Sequence, residues 1–144
     1  MSNKNYIDAY KKSSNSMNSV KSSHEIIREL MFHLANSMDK IVLDINEYKN
    51  NEFDPKNISK KELALKKSKN MSKSLSIIYG LQTCLDFDKA PEIAGNLFQL
   101  YEFARQKVIS SLTKKDVDGI NQAITVIREI LDGWQNIAIE DRKL

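Results

Sequence analysis

From Ile93 onward the apolar residues of this chain return at helical spacing, and that pattern limits the folds open to it. At roughly 100° per residue, Ile93, Leu97, Leu100, Tyr101, Ala104 and Val108 fall on one side of a helix. Phe98 and Ile109 flank the stripe, and Phe103 falls well off it. A surface helix of a small domain needs only about a third of its circumference apolar. This one has more. It is therefore either a central helix or one that also covers something besides its own core.

Three further stretches share the periodicity. Ser22-x-x-Glu25 forms a capping box, in which a hydroxyl and a carboxylate satisfy the free amides of a first helical turn. Behind it Ile26, Ile27, Leu30, Met31, Leu34, Met38, Ile41, Val42, Ile45 and Tyr48 cover half a wheel. Phe32 and Leu43, eleven apart, stand together on the other half among charges. They read either as two stray exposed hydrophobes or as a second contact strip for an arm or a partner. Pro55 in the polar stretch around Asn50 to Asn57 bars helix continuation. Ser59-x-x-Glu62 then reads as a second capping box, followed by a stripe of Leu63, Met71, Leu75, Ile78, Leu81 and Leu85. The first half of that helix is dense in lysine, by default a solvated face, with an acidic partner as the alternative. Pro91 suits the first turn of the helix containing Ile93. Asp116 reads as the N-cap of a last helix carrying Val117, Ile120, Ala123, Ile124, Ile127, Ile130, Leu131 and Trp134, with Val126 and Ile137 widening its arc. Trp134 lies centrally there and is expected to be buried.

The reading is all-α: an antiparallel four-helix bundle with helices over roughly 22–50, 59–85, 91–112 and 116–138, plus a short extra N-terminal helix. Residues 22–144 form the single bundle domain and residues 1–21 an N-terminal arm. In that arm Ile7 and Tyr10, three apart, share one side of one or two helical turns. Ser13 to Ser19 is rich in groups that compete with helix and reads as a tether. The Ile7/Tyr10 pair must therefore find a groove on the body or leave it.

Composition bears on function mainly by exclusion. With 22 basic and 19 acidic residues the net charge is +3, a mixed surface that disfavours nucleic-acid binding. No apolar run reaches the roughly 18 residues needed to span a bilayer, and the start MSNKNY is no signal peptide, so a cytoplasmic protein away from membranes is expected. One cysteine, Cys84, allows no internal disulfide and reads as a small core residue. A bundle could house a di-metal enzyme, but such sites need Glu-x-x-His motifs and no glutamate here has a His three residues on. His24 and His33 both read as solvated. No Gly-rich phosphate loop or Cys/His cluster stands out, so neither catalysis nor a cofactor or metal is expected.

Taken together, the motifs resemble the FliS family of flagellar export chaperones. The likeness rests first on Glu92-Ile93-Ala94-x-Asn96-Leu97-x-x-Leu100-Tyr101-Glu102-Phe103, with an aromatic swap at Phe103. Gly80-Leu81-x-x-x-Leu85-Asp86-x-x-Lys89 precedes it at the family's spacing, and Asp116 and Trp134 follow. At the front Ile7-x-Ala9-Tyr10 resembles the N-terminal signature, and Ser23-His24-Glu25 through Leu30-Met31-Phe32 resembles the opening of the first long helix. The chain departs in having His24 where Pro is usual, Leu34 where many members have Gly, and a longer connection from Asn50 to Lys61. The resemblance implies a non-enzymatic cytosolic chaperone that binds the C-terminal segment of flagellin, prevents its premature polymerisation and supports its delivery to the flagellar type III export apparatus. A co-chaperone or other flagellar regulator is a further expected partner. On that reading Ile7, Tyr10, Phe32, Leu43, Ile93, Leu97, Phe98 and Tyr101 are the partner-binding candidates. The wide face starting at Ile93 would serve both core and partner, while the arm acts as lid or as binding element. The alternatives are a self-associating structural bundle and a co-chaperone of another secreted flagellar protein.

Overall fold

The computed structural model describes residues 21–50, 58–114 and 117–137. Four helices fill these segments: α1 (Ser23–Asn50), α2 (Ile58–Thr83), α3 (Pro91–Lys114) and α4 (Val117–Gln135). Each lies within a few residues of its expected bounds, and no strand occurs among the described residues. The short N-terminal helix, the tether and the Asp116 cap fall outside the described residues.

The ends follow local chemistry. The Ser22 hydroxyl accepts the Glu25 amide at 3.2 Å and the Ser22 carbonyl accepts the Ile26 amide at 3.0 Å, so α1 begins on its own cap. Helix α2 begins at Ile58, within one residue of the expected start at Ser59. Pro91 opens α3, where its missing amide costs nothing, and the Ala94 amide closes the first turn on the Ala90 carbonyl at 2.8 Å.

Consecutive helices pack side by side and α4 closes the ring on α1, leaving α1 diagonal to α3 and α2 diagonal to α4. The short connections make each neighbour antiparallel. The centre belongs to Leu30, Met31, Leu34, Met38 and Ile41 of α1, Ile77, Ile78 and Leu81 of α2, Tyr101, Ala104 and Val108 of α3, and Ile120, Ala123 and Ile127 of α4. Tyr101 reaches across the diagonal, its hydroxyl 3.9 Å from the Met31 Sδ. Two polar contacts fix helix register. Between α1 and α2 the buried Asp44 carboxylate accepts the Asn70 amide at 2.9 Å, which compensates its loss of water. Between α1 and α4 the Asp39 carboxylate pairs with Arg128 at the surface.

Four side chains depart from expectation. His24 is buried rather than solvated. Its Nε2–H donates to the Trp134 carbonyl at 2.6 Å while the Trp134 Nε1–H donates to the His24 carbonyl at 2.9 Å. The rings stack at 4.9 Å with 6° between planes, so the first turn of α1 and the last of α4 hold each other. With the usual Pro absent, this residue can take part in such a clasp. Cys84 is exposed instead of lying in the core, because α2 ends at Thr83 and the chain turns away there. Phe103, well off the stripe by angle, is partly buried: its ring is long enough to reach the core margin, with the Lys107 ammonium 5.2 Å from its centre. His33 lies half-buried, and burial followed by the nearby Lys73 charge lowers its pKa below the usual histidine value. No helix among the described residues is long and apolar enough to cross a membrane.

Candidate functional site

The α2–α3 turn is built by one carboxylate. Asp86 Oδ1 accepts the amides of Asp88 and Lys89, each at 3.0 Å, an Asx arrangement that folds the chain tightly after α2. The Thr83 hydroxyl caps the Gly80 carbonyl at 3.0 Å on the same turn. This geometry spreads the end of α2 from the start of α3 and opens a mainly apolar groove at that end of the bundle.

The groove takes Leu81 from the end of α2, Cys84 and Leu85 from the turn just after it, Ile93, Ala94, Leu97 and Tyr101 from α3, Ile27 from α1 and Trp134 from α4, with Asp86 at its lip. Leu81, Ala94, Tyr101 and Trp134 are buried and make the floor, whereas Ile27, Leu85 and Leu97 are half-buried walls. Ile93 stands half exposed at the rim, at 50 %. Burial pushes the Tyr101 hydroxyl above its ordinary pKa, so it stays neutral and the floor carries no charge. Next to the groove Phe87 of the turn meets Phe98 of α3 at 6.3 Å, with Phe87 largely in water. Leu100, one turn from Leu97, is also exposed.

Helix α3 thus has two apolar sides. Ala94, Tyr101, Ala104 and Val108 point into the bundle, while Ile93 and Leu100 of the expected stripe are left in solvent. Such a surface can accept apolar side chains of a peptide and has few polar groups to orient a small polar ligand. Among the described residues no cluster of three or more His, Cys, Asp or Glu could hold a metal ion.

The structure brings three of the sequence-derived candidates, Ile93, Leu97 and Tyr101, into this groove and sets Phe98 beside it. Tyr101 is floor rather than rim, at 1 % exposure. Phe32 and Leu43 lie apart on the outer face of α1, 49 % and 59 % exposed, and line no part of it. Ile7 and Tyr10 lie outside the described residues. Sequence reasoning missed Ile27, Leu81, Leu85, Cys84 and Trp134 as groove residues. For Leu81, Cys84 and Leu85 the signal was proximity to the Asp86 turn, whereas Ile27 and Trp134 lie on α1 and α4 and carried none.

Residues 6–141 match the family described as Flagellar protein FliS. A protein of Vibrio cholerae named flagellar secretion chaperone FliS is 35 % identical over 78 residues, which is 54 % of this chain and 57 % of the relative. Flagellar secretion chaperone FliSB of Pseudomonas aeruginosa is 31 % identical over 68 residues, 47 % of this chain and 54 % of that one. The FliS of Salmonella typhimurium is 30 % identical over 73 residues, 50 % of this chain and 54 % of its own length. The matched stretches thus span little more than half of each relative. The family match covers nearly the whole bundle, including the α3 motif and the Asp86 turn, and the chain belongs to the FliS family.

Proposed function

We propose that this chain is a cytosolic flagellar secretion chaperone that holds the C-terminal segment of flagellin before export and hands it to the secretion apparatus. The observation that carries the reading is the outward apolar side of α3, Ile93, Leu97 and Leu100, running into the groove floored by Tyr101 and Trp134. An unfolded client supplies amphipathic helical pieces, and the entropy of ordering them keeps the grip moderate enough for release. Captured in this way, the segment has its apolar face covered and cannot polymerise.

Ile7 and Tyr10 complete the reading. Each side chain gains at most about 1.5–3 kcal/mol on full burial, less the cost of ordering the arm. A net hold of a few kcal/mol suits a removable cover over the groove. The arm then re-docks on the bound client, so the double substitution Ile7→Ala with Tyr10→Ala weakens binding. Tighter binding would make the arm a competitor only, and unchanged affinity would remove it from the mechanism.

The direct test is titration with a fragment carrying the C-terminal segment of the cognate flagellin. Saturable binding by the parent, abolished by Ile93→Asp with Leu100→Asp in a variant that keeps its helical circular dichroism and cooperative melt, is the expected result. Full binding by that variant sinks the assignment of the surface. The exposed Phe32 and Leu43 favour a second contact on α1, to the same client or to another copy of the chain. Solution mass of Phe32→Ser with Leu43→Ser, with and without the fragment, separates these two uses.

A further inference from the structure

Helix α2 carries six lysines and one glutamate between residues 58 and 83, in a chain whose net charge is only +3. The remainder of the chain is therefore net negative, and positive charge is concentrated on one helix. Lys61, Lys66, Lys69 and Lys73 are exposed and form no ion pair among the described residues. By contrast, Glu29, Asp39 and Glu102 on other helices are each paired with a basic side chain.

The wheel arranges these charges. Lys66, Lys69 and Lys73 recur every three or four residues and form a row on the side of α2 nearer α1. Lys73 acts on His33 of α1, where the Glu29 carboxylate acts in the opposite sense and Lys21 and Lys40 add to Lys73, so the α1 side of that boundary carries both signs and the uncompensated positive charge lies on α2. Beside the row runs a strip beginning with Lys61 and Leu65, crossing Ser68 and Ser72, and ending at Tyr79. Leu65 is 64 % exposed and Tyr79 46 % exposed, well clear of the groove described above. They lie fourteen positions apart, about 21 Å at helical rise. Between them lie the small, exposed side chains of Ser68 and Ser72.

From this juxtaposition we infer that the outer face of α2 docks an acidic amphipathic helix of a partner protein, distinct from the client in the α3 groove. The partner places apolar side chains on Leu65 and Tyr79, and a row of carboxylates on one flank meets Lys66, Lys69 and Lys73. Charge complementarity selects the sign and steers the encounter, while the two anchors fix position along the helix. A nucleic-acid backbone would answer the lysines but has no use for an exposed Leu65 within their strip. An anionic membrane would need a broader apolar face than two side chains, because the rest of the apolar side of α2 is committed to the core.

The probe is a synthetic 18-residue helical peptide rich in glutamate, with leucines at its first and fifteenth positions. Its fluorescence anisotropy is followed as the full chain is added. The parent should bind, more weakly as salt rises. Lys66→Gln, Lys69→Gln and Lys73→Gln combined should weaken binding roughly tenfold or more, since each exposed pair adds a small factor and three act together. Leu65→Ser should weaken it separately. These residues are exposed, so unchanged helical circular dichroism and unchanged binding of the flagellin fragment are expected of both variants. The inference is overturned if neither variant changes peptide affinity. It is equally overturned if a peptide of the same composition with its leucines adjacent binds as well, or if duplex DNA or vesicles of anionic phospholipid bind the parent more tightly than the peptide.

Discussion

Truncating Trp134 to alanine tests whether the clasp between the ends of α1 and α4 carries the stability its geometry implies. The indole is 9 % exposed, stacks on His24 at 4.9 Å and donates Nε1–H to the His24 carbonyl at 2.9 Å. Removing a large aromatic side chain from a packed core costs about 3–5 kcal/mol. For a domain of this size that is a fall in Tm of roughly 2–4 °C per kcal/mol. His24→Ala should cost less, about 1–3 kcal/mol. It loses the stack, worth about 0.5–1.5 kcal/mol, and the Nε2 bond, worth about as much, but keeps the backbone carbonyl that Trp134 uses. Each side chain bonds to the other's backbone, so the stack is the only interaction both substitutions delete. The double variant should therefore cost about 0.5–1.5 kcal/mol less than the sum of the singles. Urea unfolding of the four proteins, followed by circular dichroism, measures every quantity. A Trp134→Ala protein within about 1 kcal/mol of the parent, or strictly additive singles, would refute the clasp.

Three other outcomes can be checked on the same material. Tyr101→Phe should be nearly neutral, because the hydroxyl meets only a thioether 3.9 Å away, whereas Tyr101→Ala should cost about 3–5 kcal/mol in the same urea assay. Bonds from Arg105 and then Gln82 hold the Glu102 carboxyl down at about 2 from its usual 4.5. A depressed carboxyl stabilises the fold above its unfolded pKa. Glu102→Gln should therefore cost about 0.2–1 kcal/mol at neutral pH, a deficit that shrinks as pH falls from 4.5 toward 2. For His33, whose pKa is lowered on folding, stability is present above its usual 6.5 and lost as pH falls through the folded value. His33→Gln should flatten the stability profile just below 6.5, measured by melts across that range.

How much of this was legible in the sequence depended on whether a residue's role was local. The four helices and the burial of Trp134 were readable because 3.6-residue periodicity, a proline at Pro91 and the Ser22 cap act within one or two turns. The apolar surplus on α3 was also readable. Which of its members face water was not, since that depends on how closely α4 approaches. His24 illustrates the limit: a histidine at a helix start looks solvated until the partner 110 positions away arrives. Cys84 is the converse, an apolar neighbour of Leu85 that the end of α2 carries outward. Of the groove, Ile93, Leu97 and Tyr101 could be named from one helix, but its other walls come from three helix ends and a turn. Only assembly brings those together.

The division of labour on α3 has a physical origin in the size of its inward residues. Ala94 and Ala104 are small, and together with Tyr101 they fill the space beneath the helix. Small contact residues draw a helix toward its neighbours, so the core is closed before Ile93 and Leu100 can enter it. Each of these then forgoes part of the roughly 1.5–3 kcal/mol that full burial would give. A fold optimised only for stability would place polar side chains at those positions, as it does at Asn96 and Gln106 on the same helix. Leaving Ile93 at the rim of a groove and Leu100 a few residues along keeps that unused burial in one continuous strip. A client that covers the strip gains free energy the fold never needed. Removing the strip should accordingly abolish capture at a cost in unfolding free energy much smaller than that of truncating a core residue such as Trp134, since Ile93 and Leu100 are only partly buried.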